Sequence, residues 1–167
     1  MPGAVHFAVL TNPLRPEHTE YVATMQAANP GGVQLQTVEA RGPDQYESAF
    51  AAMTKAHADV VIILGDVMYT RDSKRLAELA AAHHLPSIYL FRAFAVAGGL
   101  LTYGPDEGQL VDLAAQYVDK ILRGANPGEL PVEQPTKFRL AINLKTAKAL
   151  GLSIPKTLLL RADEVIQ

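Results

Sequence analysis

Near the middle of the chain, Val60-Val61-Ile62-Ile63-Leu64 is apolar at five successive positions, between Asp59 and Gly65-Asp66. A run with no polar alternation is the signature of a central parallel strand covered on both faces. It is far too short to span a bilayer, which takes ~20 residues. Strand-like residues 5–10, 33–39 and 87–90 flank this run, which with Asp59 makes a strand over 59–64. They alternate with helix-like residues 18–28, 44–56 and 72–83. Strand–helix–strand alternation implies right-handed crossovers and a mainly parallel sheet between helices. The expected fold is therefore α/β, a three-layer α/β/α lobe of flavodoxin-like type with five or six strands.

The alternation breaks at Gly98-Gly99 and again over residues 124–135, where Gly124, Pro127, Gly128 and Pro131 precede Val132. Between the breaks, Leu110, Leu113, Ala114, Tyr117, Val118, Ile121 and Leu122 fall at i, i+3, i+4, i+7, i+8, i+11 and i+12. That spacing predicts one helix over 106–123 with a continuous apolar stripe, closed by Gly124 at C′ and suited at its negative end by Lys120 and Arg123. Residues 137–142 read as a returning strand. Asn143 caps a short helix to Leu150, Gly151 stops it, and residues 157–165 read as a further helix.

Composition narrows the function. The 167 residues carry 15 basic and 17 acidic side chains, a balance that offers no footprint for nucleic acid or an anionic membrane. The absence of cysteine excludes thiolate catalysis and thiolate metal ligation. The opening residues MPGAVHFAVLTNP lack a basic leader and read as a first strand, so the chain as written carries no export address and, taken as complete, would be cytoplasmic.

Ligands of parallel α/β sheets gather beyond the carboxyl ends of the strands. Four loops meet that condition: Thr11-Asn12-Pro13, Gly65-Asp66-Val67-Met68, Phe91-Arg92-Ala93-Phe94 and Thr102-Tyr103-Gly104. Asp66 suits a ligand ammonium or hydroxyl, or else caps a helix. Asn12 suits a ligand, or the Asx turn that Asn-Pro favours. Arg92 is placed to hold a carboxylate in bidentate fashion, or to sit at the surface in an ion pair. Phe91, Phe94, Tyr69 and Tyr103 suit stacking on a flat ligand, or form core edges. Asn12, Asp66, Val67, Met68, Arg92, Phe94 and Tyr103 are the expected ligand-binding set.

No catalytic or metal constellation can be assembled. His6, His18, His57, His83 and His84 lack metal-ligand spacing and read as structural or solvated. There is no G-x-S-x-G elbow, Walker loop or G-x-G-x-x-G turn. A phosphoacceptor receiver would use Asp66, but would also need an acidic pair where this chain has Thr11-Asn12-Pro13. The expectation is a protein with no enzyme activity, no metal and no cofactor.

The opening strand with its Asn-Pro turn, VQLQTVEARGPDQYESAFAAM, LAELAAAHHLPSIY, AGGLLTYGP and PVEQPTKFRLAINLKTAKALGLSIPKTLLLRADEVI together resemble the substrate-binding proteins of a bacterial ABC transporter family. The resemblance implies one lobe, the C-terminal one, of a type I periplasmic-binding fold. Two such lobes close on a small solute, commonly an amino acid or similar compound, aromatic amino acids included. Position by position, it assigns Asn12 to the family's Asn-Pro loop, Asp66 to its strand-exit aspartate and Tyr103-Gly104 to an SYG-like hinge. Ala93 departs from the family's Arg-Glu-Phe.

In the full-length family the protein is periplasmic or lipid-anchored outside the cytoplasm and serves a transporter permease. The resemblance also makes residues 1–167 a single lobe, with residues 104–135 a crossover that would dock on a first lobe this chain lacks. A stand-alone ligand-sensing or signalling module is the alternative. An apolar stripe without its docking surface would leave an exposed patch larger than soluble monomers usually carry. Covering ~400 Å² would contribute roughly 10 kcal/mol at ~25 cal/mol per Å² before ordering costs. A homodimer through helix 106–123 is therefore expected.

Overall fold

The protein's structure, a computed structural model, describes residues 3–29 and 31–167. Its strands are His6–Thr11 (β1), Gln34–Glu39 (β2), Val60–Ile63 (β3), Ser87–Tyr89 (β4), Leu101–Pro105 (β5), Phe138–Asn143 (β6) and Glu164–Ile166 (β7). They form one sheet in the order β2-β1-β3-β4-β5-β6-β7, parallel except where β6 runs back along β5. The helices are Pro16–Ala27 (α1), Pro43–Lys55 (α2), Val67–Arg71 (α3), Ser73–Ala82 (α4), Arg92–Val96 (α5), Glu107–Leu122 (α6), Leu144–Ala149 (α7) and Lys156–Leu159 (α8).

The sheet thus has seven strands where the sequence pattern suggests five or six. The added strand, β7, lies in the stretch that reads as a helix over 157–165; helix α8 ends after one turn. Asp163 explains the switch. Its backbone N–H donates to the Leu140 carbonyl, and its carboxylate accepts from the Leu140 N–H at 2.8 Å, so the chain is captured by β6. Glu164, Val165 and Ile166 then continue in register with Ala141, Ile142 and Asn143. Three residues are too few for a period of two to show in sequence.

Right-handed crossovers dictate which side each helix covers. Moving outward from β1 to β2 puts α1 on one face, and moving inward from β2 through β5 puts α2, α4 and α5 on the other. On that second face Ala8, Leu10, Val61, Ile63 and Tyr89 pack with Tyr46, Phe50, Met53, Leu76, Ala80 and Phe94 into one buried core. Tyr89 and Phe94 stack at 4.3 Å between ring centroids, and Tyr46 meets Tyr69 edge-on. Burial raises the phenols of Tyr46, Tyr69 and Tyr89 well above the ordinary tyrosine range, with the Asp72 carboxylate adding to the shift at Tyr46.

The first face is incomplete. Val9 and Val60 are buried there, where His18 and Val22 of α1 lie inward. Farther along the sheet, Ile62 of β3 and Ile88 of β4 are only half-buried, although their neighbours Val61 and Ile63 are inaccessible. Helix α6 does not cover them: none of its sixteen residues is buried. It is held instead by the returning chain, through the Tyr117 hydroxyl to the Pro131 carbonyl, Gln109 Nε2 to Thr136 Oγ1 at 3.1 Å, and the Lys137 N–H to Gln109 Oε1 at 3.0 Å.

Gly104 shows why the Tyr-Gly step is there. A Cβ at this position would lie 2.2 Å from the Leu90 carbonyl oxygen, so only glycine lets β5 approach the end of β4 so closely.

Candidate functional site

Asp66 ends the turn after β3 and caps α3: its Oδ1 accepts from the Met68 N–H at 2.6 Å and the Tyr69 N–H at 3.4 Å. Its Oδ2 accepts from Asn12 Nδ2 at 3.0 Å and lies 3.7 Å from Arg15 Nε. The helix-cap reading of Asp66 is the one the structure shows. One carboxylate oxygen is committed to the helix cap, and the other faces an amide and a guanidinium, with the side chain only 5% exposed.

Asn12 is equally engaged. Its Oδ1 accepts from the Leu14 N–H at 3.0 Å, closing the Asx turn, while its amide reaches Asp66. The Asn12 N–H donates to His18 Nδ1 at 2.9 Å, which leaves Nε2 as the protonated nitrogen, 3.1 Å from the Gly65 carbonyl oxygen. His18 thereby ties the loop after β1 to the loop after β3. Its buried, bridging position matches the structural role read from sequence, although its partners were not foreseeable from spacing.

An open cavity of about 1000 Å³ lies along the carboxyl ends of β3, β4 and β5 and runs onto the uncovered sheet face. Asp66, Val67 and Tyr103 of the expected set line it, with Arg15, Tyr21, Phe91 and Phe138. Tyr103 and Phe138 stack at 5.6 Å, and both remain about half exposed, so they present an aromatic wall. Pairing of Pro105 with Phe138 and of Tyr103 with Leu140 brings this wall together across thirty-five residues of chain.

Three members of the expected set lie elsewhere. Met68 is turned toward Gly42, its Sδ 3.8 Å from where a Cβ there would sit. Phe94 is a core residue, 2% exposed beneath Tyr89. Arg92 forms a bidentate pair with Glu164, Nε to Oε2 at 2.5 Å and Nη2 to Oε1 at 2.6 Å. The Arg92 guanidinium holds the Glu164 carboxyl below the ordinary glutamate range, and Arg139, 2.8 Å from Asp106, does the same for that aspartate.

These two ion pairs line a smaller hollow of about 290 Å³ beside Gly104. Its two guanidinium groups are thus each committed to a carboxylate of the chain itself. Arg15, Glu17, Tyr21, Thr70, Glu107 and Phe138 are among the lining residues of the larger cavity that sequence reasoning missed. Arg15 sits three residues past Asn12, just beyond the loop Thr11-Asn12-Pro13, and nothing in its spacing distinguishes it from a solvated surface cation.

The profile of ABC transporter substrate binding proteins matches residues 1–166. Among curated proteins nothing matches the chain. Among solved structures, a conserved domain protein from Vibrio cholerae superposes with a TM-score of 0.90 at 25% identity. An ABC domain from Streptococcus pneumonia, solved in complex with L-Trp, gives 0.90 at 22%, and a substrate binding protein with adhesive properties from Clostridium difficile, ligand-free and open, gives 0.72 at 18%. In each case the match covers 99% of this chain and 56% of the other, so the chain spans just over half the length of these relatives.

Proposed function

Because the chain belongs to the ABC transporter substrate binding protein family, we propose that it is a solute-binding lobe of a bacterial ABC transport system and takes an amino acid with an apolar or aromatic side chain. The observation that carries this reading is the shared lining of one cavity by the buried carboxylate of Asp66, the guanidinium of Arg15 and the aromatic wall of Tyr103 and Phe138. Opposite charges side by side suit a zwitterion: an ammonium toward Asp66 Oδ2, a carboxylate toward Arg15. Flat rings suit a flat side chain. The pneumococcal domain solved with L-Trp supports the same ligand class.

In this reading the carboxylate partner is Arg15, which lines the cavity and lies 3.0 Å from the half-exposed Glu17 as well as 3.7 Å from Asp66, so that the solute carboxylate would take the place of Glu17; Arg92 is held by Glu164 outside this cavity. The solute is released unchanged, because the cavity places no general base beside a nucleophile. Delivery would be to a permease, with the parent protein acting outside the cytoplasm. Among the described residues no helix is long and apolar enough to cross a membrane. A lone lobe walls only one side of a cleft, so affinity is weak without a second wall, and the lobe assembles as a homodimer through α6.

Calorimetric titration with L-tryptophan, L-leucine and L-aspartate tests the solute. L-tryptophan should bind best. Asp66→Asn, which keeps an acceptor for the α3 cap and removes the charge, should weaken it at least tenfold, as should Tyr103→Ala. Unchanged affinity in both variants would remove this cavity from the function.

A further inference from the structure

The two charges assigned to the solute stand on separate loops, and one buried side chain joins those loops. Arg15 follows β1 and Asp66 follows β3. His18, in the first turn of α1 and 1% exposed, accepts the Asn12 N–H at Nδ1 and donates from Nε2 to the carbonyl of Gly65, the residue before Asp66. Its own backbone N–H donates to the Arg15 carbonyl at 3.0 Å, and the Arg15 N–H donates to the Asn12 carbonyl at 3.0 Å. The ring lies near Tyr21 and Tyr69, with centroids 6.3 and 6.5 Å away, and it does not line the cavity.

The Asn12 N–H needs an acceptor that the sheet does not supply. Strand β1 ends at Thr11, and Asn12 is only 4% exposed. A buried N–H left unpaired is costly, so without His18 the loop would turn to find a partner. Turning Asn12 would move its side-chain amide, and that amide aims Asp66. The α3 cap fixes Oδ1, while the 3.0 Å bond from Asn12 Nδ2 fixes the rotation that presents Oδ2 beside Arg15. A neutral imidazole meets both demands at once, because it carries an acceptor and a donor on one rigid ring. A proton on Nδ1 would set it against the Asn12 N–H.

We infer that His18 is a positioning residue of the solute site: by accepting the Asn12 N–H it holds Asn12 so that the amide orients the Asp66 carboxylate toward the solute ammonium. It touches no solute and acts through Asn12. The inference rests on the amino-acid reading above and adds to it the group that keeps the site in shape.

Two substitutions divide the bonds of the ring. His18→Asn keeps an acceptor where Nδ1 stands, and His18→Gln keeps a donor where Nε2 stands. Each gives up one buried bond, so stability falls in both. Calorimetric titration with L-tryptophan, well below the melting midpoint of either variant, should give an affinity within about threefold of the parent for His18→Asn and a loss of about fivefold or more for His18→Gln. Equal losses, or losses that simply follow the melting midpoints, would overturn the inference. In an Asp66→Asn background, His18→Gln should add less than about twofold, since the carboxylate it orients is gone, and the full loss repeated there would also overturn it. A parent that does not bind L-tryptophan would overturn the solute reading and this inference with it. Binding that needs Asp66 but is the same in both His18 variants as in the parent would overturn the inference alone. The ¹⁵N shifts of the His18 ring in the parent protein give a check that needs no variant: Nε2 should be the protonated nitrogen and Nδ1 the bare one, and the reverse tautomer or a doubly protonated ring would contradict it.

Discussion

Helices α4 and α6 carry comparable apolar stripes, yet α4 buries Leu76, Ala77 and Ala80 whereas α6 buries nothing. The difference lies in what the topology puts opposite each of them. Helix α4 is tied at both ends into right-handed crossovers, which press it onto the sheet. Helix α6 leads into the antiparallel return of β6 and is held by the 131–137 segment instead. Periodicity announces that a helix will be covered, but it does not say by which surface. The same contrast divides the sheet: the face under α2, α4 and α5 is a finished core, and the face beyond α1 opens into the cavity.

The sharpest test of this contrast places the same substitution on each helix. Leu76→Asp buries an unpaired carboxylate in the finished core and should cost about 4 kcal/mol or more, enough to unfold the lobe in a denaturant titration. Val111→Asp with Val118→Asp, at exposed positions of α6, should leave the circular dichroism of the folded lobe unchanged and move only the oligomeric state. Equal destabilisation at both sites would mean that α6 is packed on its own chain and would end the comparison.

A second test bears on how β5 is held beside the open face. Gly104→Ala forces a methyl into the Leu90 carbonyl and should cost about 3 kcal/mol by overpacking, read as a lowered denaturant midpoint. A midpoint unchanged from the parent would show that β5 can shift away from β4 at little cost, and that the edge of the cavity is not rigid.

The smallest expected effect concerns β7. The carboxylates of Glu164 and Asp106 titrate below their ordinary ranges because Arg92 and Arg139 favour their charged forms. A depressed folded value means that this stabilisation is complete above the ordinary carboxylate range and is lost as pH falls through the folded value. The protection of the Val165 and Ile166 amides, taken relative to their intrinsic exchange rates at each pH, should therefore fall on acidification below about pH 4 and stay flat from pH 5 to 8. Loss of protection near neutrality would point to a different anchor for the last strand.

The α/β class, the central strand and the α6 stripe were legible because each rests on a local period or a run of one residue class. The strand-edge rule likewise put Asp66, Val67 and Tyr103 at the edge where the cavity lies, since it needs only the order of strands and loops. Phe138 was not legible, because its place beside Tyr103 depends on the register of β5 with β6. Arg92 was legible as a cation at the right edge, but its partner Glu164 lies seventy-two residues away on a strand too short to recognise. The partners of His18 escaped for a related reason: its two bonds join loops that meet only in the folded sheet.

An amino acid with an apolar or aromatic side chain should bind on the open side of this lobe, at the carboxyl ends of β3, β4 and β5. Titrating L-tryptophan into ¹⁵N-labelled protein and following every backbone amide tests it directly. Saturable shifts should appear at Asp66, Val67, Phe91 and Tyr103, while Tyr46, Leu76 and Ala80 on the finished side stay still. No saturable shift up to millimolar ligand, or shifts centred on α4 and the covered core, would contradict it.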